Sequence, residues 1–397
     1  MHVLHEVEAT NFLSFKRAKV SLGRFSVLVG PNGSGKSNLL EIFRFLGDIA
    51  RTDLIPAVQK AGGFERILFR GVRDSNSVKI VLKGAFTRHA SLGAPDEYSI
   101  NFWRQPRILM GTYMFRRTEA FTFKRVGGKG RRLSLNGANL QVFDEGGAQG
   151  TEKLQIDAQS AGLSTLRRLG KAYEAEQVEQ LATLLENLRV FDIAVDRARR
   201  PSGMVDPQRL HENADNLAAF LLWLRDAHAE VFEMIEEDLR FVVPSVKKLG
   251  VRKIGGASEQ AVVEVTEAGL DGVTPLSAAS FGTIRALSLF AMMHDPEPPL
   301  LSCIEEIDHG LHLHALDRIV DRLREASERT QIIVATHSPA FVNRLDPSEL
   351  VVFERDPVGG GTRLPVIDPA QVRRMQEASG LNPGELWFSG LLGGALP

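Results

Sequence analysis

Phe25-Ser-Val-Leu-Val29-Gly30-Pro-Asn-Gly-Ser-Gly35-Lys36-Ser37-Asn38 is the stretch on which the rest of the chain is read. Residues 25–29 form a compact apolar run suited to a buried strand, and from Leu39 to Leu46 the apolar positions recur at helical spacing. Between them, residues 30–37 satisfy G-x-x-x-x-G-K-[ST] at every position. Glycines allow backbone N–H groups to turn inward around phosphate oxygens, and the following helix points its positive end at the same anion. Lys36 is expected to reach the β- and γ-phosphates of a nucleoside triphosphate, and Ser37 to offer its hydroxyl to Mg²⁺. Asn32, Gly33, Ser34, Gly35, Lys36, Ser37 and Asn38 are the candidate nucleotide-binding residues. A glycine-rich turn that binds nothing is the bland alternative; the complete string in strand–loop–helix context argues against it.

Three later segments extend the site. Leu300-Leu-Ser-Cys-Ile304 is an apolar strand ending in Glu305 and Glu306. Beside a phosphate loop, Glu305 would hold Mg²⁺ and Glu306 would activate the attacking water. In isolation, two acids at a strand end read as a solvated turn. Upstream, Ser280-Phe281-Gly282 opens an apolar helix, with Ser280 also readable as a simple N-cap. Downstream, Ala335-Thr336-His337-Ser338-Pro339 closes another apolar strand, and His337 is the candidate γ-phosphate contact.

Composition limits the remaining choices. Forty-three per cent of the 397 residues are hydrophobic and 24% charged, an ordinary globular balance. The formal net charge of -1 supplies no global basic field, so contact with nucleic acid requires a local patch. A single cysteine, Cys303, excludes an intramolecular disulfide framework and suits a reducing compartment. No apolar run approaches the length that spans a bilayer, and the N-terminus lacks the pattern of a signal peptide. A cytoplasmic protein with no membrane partner is the expectation.

Short strands are expected at residues 5–10 and 16–22, a β-rich region at 77–140, and helices over 163–188 and 213–239, with a polar break at 197–203. Further strands are expected at 262–265, 300–304, 331–335 and 350–354, with helices at 283–293, 313–326 and briefly after Ser338. Strands alternating with helices argue for a mainly parallel sheet covered by helices. Between residues 101 and 140, Arg104, Arg107, Arg116, Arg117, Lys124, Arg125, Lys129, Arg131 and Arg132 meet a single acid, Glu119, with Trp103, Tyr113, Phe115, Phe121 and Phe123 interleaved. This stretch reads either as a surface for a phosphate backbone or as alternation that turns aromatics inward and bases to solvent. His309, His312 and His314 suggest a zinc site only superficially, because on a helix His309 and His312 share a face that His314 does not. The apolar tail at residues 383–394 docks on its own domain or on a partner; the pattern does not choose.

The ordered set of motifs resembles the ABC-type ATPase heads of the SMC/RecF/OLD group, and more narrowly the compact RecF-like bacterial AAA-family ATPases. The matching segments are ATNFLSF with FSVLVGPNGSGKSNLLE, SFGTIRAL and EEIDHGLHLHAL; residues 1–85 and 260–397 carry the likeness and the middle little of it. The resemblance implies an α/β fold, a P-loop NTPase with an ABC-ATPase-like head: a mainly parallel core sheet, an antiparallel β subdomain and an inserted helical subdomain. It implies lobes at 1–150 and 261–397 around an insertion at 151–260. It casts Gly30, Gly35, Lys36 and Ser37 as ligands of ATP and Mg²⁺, Glu305 as the Walker B acid, Glu306 as the catalytic glutamate and His337 as the switch histidine. Ser280 and Gly282 would meet the γ-phosphate held by a second copy, and Asp308 and the nearby histidines would lie at that seam. Glu305 in place of aspartate, Phe281 in place of a polar residue and Leu313 in place of proline depart from the pattern, and no Q-loop glutamine can be assigned.

In functional terms the resemblance implies an ATPase acting as a homodimeric switch, ATP being sandwiched between two copies, in DNA or RNA transactions such as repair or antiviral defence. No Toprim nuclease domain is expected in this sequence, so a separate nuclease or effector would supply that chemistry. A transporter ATPase subunit and a phosphate-loop small-molecule kinase are the competing readings. The first fits poorly because Lys36 and Ser280 lie far apart and Ser-Phe-Gly departs from the transporter signature; the second because tandem glutamates followed by Thr-His-Ser favour water as acceptor.

Overall fold

The computed structural model describes residues 3–71, 74–107, 112–124, 130–144, 156–167, 176–255, 259–364 and 368–392. The chain divides into two compact units, Met1–Leu188 with Pro347–Pro397, and Arg189–Asp346.

In the first unit, seven strands form an antiparallel sheet in the order Phe15–Ser21, Leu4–Phe12, Ser77–Gly84, Asp96–Arg107, Thr112–Phe123, Arg131–Asn136, Asn139–Asp144. Period-two alternation sets its buried face: Tyr98, Ile100 and Phe102 point inward from one strand, Phe121 and Phe123 from the next. Register pairs Tyr98 with Phe121, and their rings sit 4.9 Å apart. The helix Lys36–Arg51 seats against this face, its Phe45 stacking on Phe102 at 5.6 Å and meeting Phe12 at 5.9 Å. The helices Leu54–Lys60 and Glu176–Asn187 flank it. Phe25–Val29 pairs in parallel with Leu350–Val352 and is buried at all five positions, which is why it reads as a continuous apolar run rather than an alternating one.

The reading of 101–140 as a row of solvated bases needs correction. Arg117 and Glu119 share the inward parity of Phe121 and Phe123, and the two side chains pair at 3.1 Å with no exposure. Burial pushes the Glu119 carboxyl up in pKa, opposed by Arg117, by the Gly162 amide and by the Tyr98 hydroxyl that donates to it at 2.9 Å. Arg131 is buried as well, and Arg104 lies over Tyr113 at 4.4 Å while pairing with Glu65. Arg125, Lys129 and the Arg107 side chain lie outside the described residues.

The second unit holds three parallel strands, Leu301–Ile304 lying between Gln331–Thr336 and Arg189–Phe191. The helix Phe281–Met293 is buried from Thr283 onward, as an all-round apolar helix must be, and Leu313–Ala326 packs beside it on an amphipathic face. The helical run expected at 213–239 is broken at His228, which ends Leu217–Ala227 and begins Ala229–Val242. An antiparallel hairpin, Val246–Ile254 with Gln260–Glu267, packs on both of these helices, so this region mixes helix and sheet. The run expected at 163–188 becomes Gly162–Thr165 and Glu176–Asn187 in the first unit, with 168–175 outside the described residues.

A buried ion cluster ties three helices of the second unit. Asp238, with no exposed side chain, accepts from His294 Nε2 at 2.6 Å, Arg318 Nε at 2.6 Å and Arg322 Nε at 2.8 Å. Burial alone would push its carboxyl up, but the bonds from His294 and Arg322 outweigh that and hold it below the usual carboxylate range. The tail forms the helix Pro383–Phe388 beside Pro369–Ser379, with Leu386 and Trp387 buried and Phe388 and Leu391 exposed; residues 393 and 394 lie outside the described residues. Among the described residues no helix is long and apolar enough to cross a membrane.

Candidate functional site

The phosphate loop leaves the buried strand at Gly30 and enters the helix at Lys36. Gly35 caps that helix with φ 109°, without a side-chain cap and without an acid in the first turn, so no carboxylate opposes the positive end of the helix dipole. A Cβ on Gly35 would come within 2.6 Å of Ser14 Oγ and closer still to Thr362 Oγ1; one on Gly30 would come within 2.7 Å of Ser34 Oγ and closer to the Phe353 carbonyl. Both glycines are therefore imposed by their neighbours. Lys36 Nζ curls back to donate to the Gly30 carbonyl at 2.6 Å and the Pro31 carbonyl at 3.1 Å. Asn32, Gly33 and Ser37 face solvent, while Ser34 is buried with no hydrogen-bond partner for its hydroxyl among the described residues.

Two supports of the loop were not anticipated. Thr362 Oγ1 donates to the Ser34 carbonyl at 2.7 Å, and its amide donates to the Ser14 carbonyl at 2.8 Å. With that hydroxyl proton committed, Ser14 donates to Thr362 across 2.7 Å and accepts from Asn38 Nδ2 at 2.7 Å. The chain Asn38–Ser14–Thr362–Ser34 braces the loop from behind. Ser34 and Asn38 lie in the phosphate-loop run itself, but Thr362 joins them from more than three hundred positions away and no local pattern marks it.

In the second unit, the strand Leu301–Ile304 delivers Glu305, whose amide donates to the Phe191 carbonyl at 2.9 Å. Glu305 is half-buried and Glu306 exposed, the latter with a left-handed backbone at φ 49°, which a non-glycine residue adopts at a cost of about 1–2 kcal/mol. Beneath them lies Arg285, 2% exposed, donating to the carbonyls of Ile193 at 2.9 Å, Glu305 at 3.0 Å and Glu306 at 2.7 Å. Burial draws the guanidinium down in pKa, opposed by Asp192, Glu306 and Asp308. Arg285 was also missed from sequence, although it is the sole charge between Ser280 and Met293 in an otherwise apolar helix.

The other expected residues of this unit gather around the same strand end. Ser280 Oγ accepts from the Thr283 amide at 3.1 Å, so it is indeed an N-cap. Gly282 has the Gly310 carbonyl where a Cβ would stand 2.8 Å from it, and Phe281 lies against His309 with ring centroids 5.3 Å apart. Thr336 Oγ1 donates to Asp308, and the Ser338 amide donates to Thr336 Oγ1 at 3.0 Å, leaving His337 exposed between them. His309 lies in a turn, not on a helix: it approaches Glu306 at 3.5 Å, whereas His312 caps Leu313–Ala326 and His314 stacks on Phe241 at 5.3 Å. Among the described residues no three His, Cys, Asp or Glu side chains group as a metal site would require. The hydroxyl of Ser37 and the carboxylate of Glu305 are hard oxygen donors of the class Mg²⁺ takes together with phosphate oxygens.

Comparison with known proteins bears on the family and the fold. A family model described as "AAA domain, putative AbiEii toxin, Type IV TA system" matches residues 25–97 and 167–343. The chromosome partition protein Smc of Methanocaldococcus jannaschii is 23% identical over 208 residues, 49% of this chain and 17% of that protein, so the chain spans a small part of its relative's length. Among solved structures, an Smc head bound to the C-terminal winged-helix domain of ScpA matches with a TM-score of 0.54 at 16% identity, covering 93% of this chain and 99% of that one. The Smc head with an extended coiled coil from Pyrococcus furiosus, bound to the C-terminal domain of ScpA, matches with a TM-score of 0.50 at 14% identity, covering 96% and 100%. These likenesses establish the fold. The chain belongs to the matched AAA-domain family and carries the ABC-type, SMC/RecF-like ATPase head fold.

Proposed function

We propose that the chain binds ATP with Mg²⁺, hydrolyses it, and works as a nucleotide-gated homodimeric switch in nucleic-acid transactions, DNA repair or antiviral defence, together with a separate effector protein in the cytoplasm. The observation that carries the reading is the phosphate loop: a glycine-lined cradle, a helix start free of acids and a lysine folded over its carbonyls. In this reading Lys36 and the loop amides of residues 32–38 hold the phosphates. Ser37 and Glu305 hold Mg²⁺, which when bound neutralises charge developing on the phosphates. Glu306 takes the proton of the attacking water, and His337 contacts the γ-phosphate. Ser280 and Gly282 of a second copy close on the nucleotide, with Asp308 at the seam. ATP then biases a two-state interface, and hydrolysis releases it.

The test is ATP hydrolysis and solution mass measured on the same preparations. Lys36→Ala should abolish ATP binding. Glu306→Gln should bind ATP, fail to hydrolyse it, and double in mass when ATP is added. A Lys36→Ala protein that binds ATP as the parent does, or a Glu306→Gln protein of unchanged mass, sinks the switch. Stimulation by duplex or single-stranded DNA that fades with salt would support the nucleic-acid role.

A further inference from the structure

We propose that Arg285 is a positioning residue for hydrolysis, fixing the backbone that presents the Glu306 carboxylate and linking it to the turn at residues 280–282. This rests on the reading of Glu306 as the group that activates water. The two carbonyls it holds near the carboxylates, at 3.0 Å and 2.7 Å, belong to the peptide units on either side of the Glu306 Cα. Pinning both planes sets φ and ψ of that one residue. Glu306 needs such a hold, because its φ of 49° is left-handed and a strained backbone persists only where its surroundings over-determine it.

The third bond, to the Ile193 carbonyl at 2.9 Å, anchors the guanidinium to the segment leaving the neighbouring strand, so the clamp does not slide with Glu306. The rigid planar fork divides the task, Nη1 donating to Ile193 while Nη2 donates to Glu305 and Glu306, so the three carbonyls are held at fixed spacing. A purely structural need at a site 2% exposed would be met by an apolar side chain, since burying a charge carries a desolvation penalty. Arg285 also sits on the helix that Ser280 caps, so a tilt of that helix start transmits to the carboxylate through one rigid side chain. Displacements near 1 Å at a reacting group cost roughly 100-fold in rate.

The experiment compares the parent, Arg285→Lys, Arg285→Gln, Glu306→Gln and Arg285→Lys with Glu306→Gln. Thermal melting checks folding, titration gives ATP affinity, steady-state kinetics give kcat and KM, and amide exchange is followed without nucleotide. Lysine keeps the charge, but with one nitrogen it loses the division of labour in which Nη1 holds the Ile193 anchor while Nη2 holds both glutamate carbonyls. We expect Arg285→Lys to lose about 10- to 100-fold in kcat with KM and ATP affinity within about twofold. Exchange at residues 305–308 should quicken while residues 284–293 stay protected. In the Glu306→Gln background Arg285→Lys should remove nothing further. Parent-like kcat in Arg285→Lys, ATP affinity falling in step with rate, or a further loss in the double variant overturns the proposal. So does a failure of both Arg285 variants to fold. If Glu306→Gln itself hydrolyses ATP at the parental rate, the reading of Glu306 fails first; if it is inactive while Arg285→Lys is unaffected, only the positioning role fails.

Discussion

Asp295→Asn should make the protein more stable at neutral pH and flatten its acid profile. Asp295 follows the helix Phe281–Met293 and is 8% exposed, its Oδ1 accepting from the Glu297 amide at 2.9 Å. Burial pushes its carboxyl up from the ordinary 3.8 to about 6, with Arg329 and the Glu297 amide opposing only in part. Between those two values the unfolded chain has released the proton and the folded chain keeps it. The folded state then binds more protons, so stability falls as pH rises through the window, is full below the lower value and is lost above the upper one. The gap corresponds to about 3 kcal/mol. Asparagine keeps the acceptor for Glu297 but brings N–H groups that need partners, at about 1 kcal/mol, which leaves a net gain of about 2 kcal/mol at pH 7.5. Urea unfolding of parent and variant from pH 3.5 to 8 reads this directly: the variant should be the less stable below pH 4, cross the parent near pH 5 and lead above pH 6.5. Two curves that stay parallel across the range would refute the argument.

Other perturbations test separate parts of the molecule. Gly35→Ala, forced into the left-handed region against Ser14 and Thr362, should weaken ATP binding about 10- to 100-fold in calorimetric titration, from a backbone cost of about 1–3 kcal/mol. Glu306→Asn should be more stable by about 1 kcal/mol in denaturant unfolding, because asparagine tolerates φ 49° better, while losing hydrolysis; a loss of stability would show that the backbone there is not under strain. Asp238→Asn should cost about 3–5 kcal/mol in denaturant unfolding at pH 7, since His294, Arg318 and Arg322 are left without their anion. In the parent that stabilisation should be full above the ordinary carboxylate range, decline as pH falls below it, and be gone once pH drops beneath the lowered value of Asp238.

Contiguous chemistry was the legible part of this chain. The phosphate loop must carry its glycines, lysine and serine in one run, and the flanking strand and helix are marked by an apolar run and by helical spacing. The helix at residues 281–293 and the strands at 301–304 and 331–336 fall within two residues of their expected bounds, because each is mainly apolar and flanked by polar turns. What stayed hidden depends on partners distant in sequence. Arg285 bonds only to carbonyls, which every residue has, so nothing in the string names its targets. Thr362 meets Ser34 and Ser14 across hundreds of positions. Arg117 was hidden by counting instead of by physics: its parity with Phe121 and Phe123 already placed it on the inner face, and its charge masked that. The break at His228 lies between two apolar helical patterns that run on in register, leaving periodicity no way to mark it.

The brace formed by Thr362 has a bearing on how the molecule comes into being. Ser14, Asn38 and the glycine cradle are synthesised before Thr362, and the hydroxyl that locks the Ser34 carbonyl emerges only after more than three hundred further residues. Until then a nascent chain holds the whole motif and lacks its keystone. The brace therefore closes only once residue 362 is in place, and a polypeptide cut short of it would carry the phosphate loop without the hydroxyl that holds its Ser34 carbonyl.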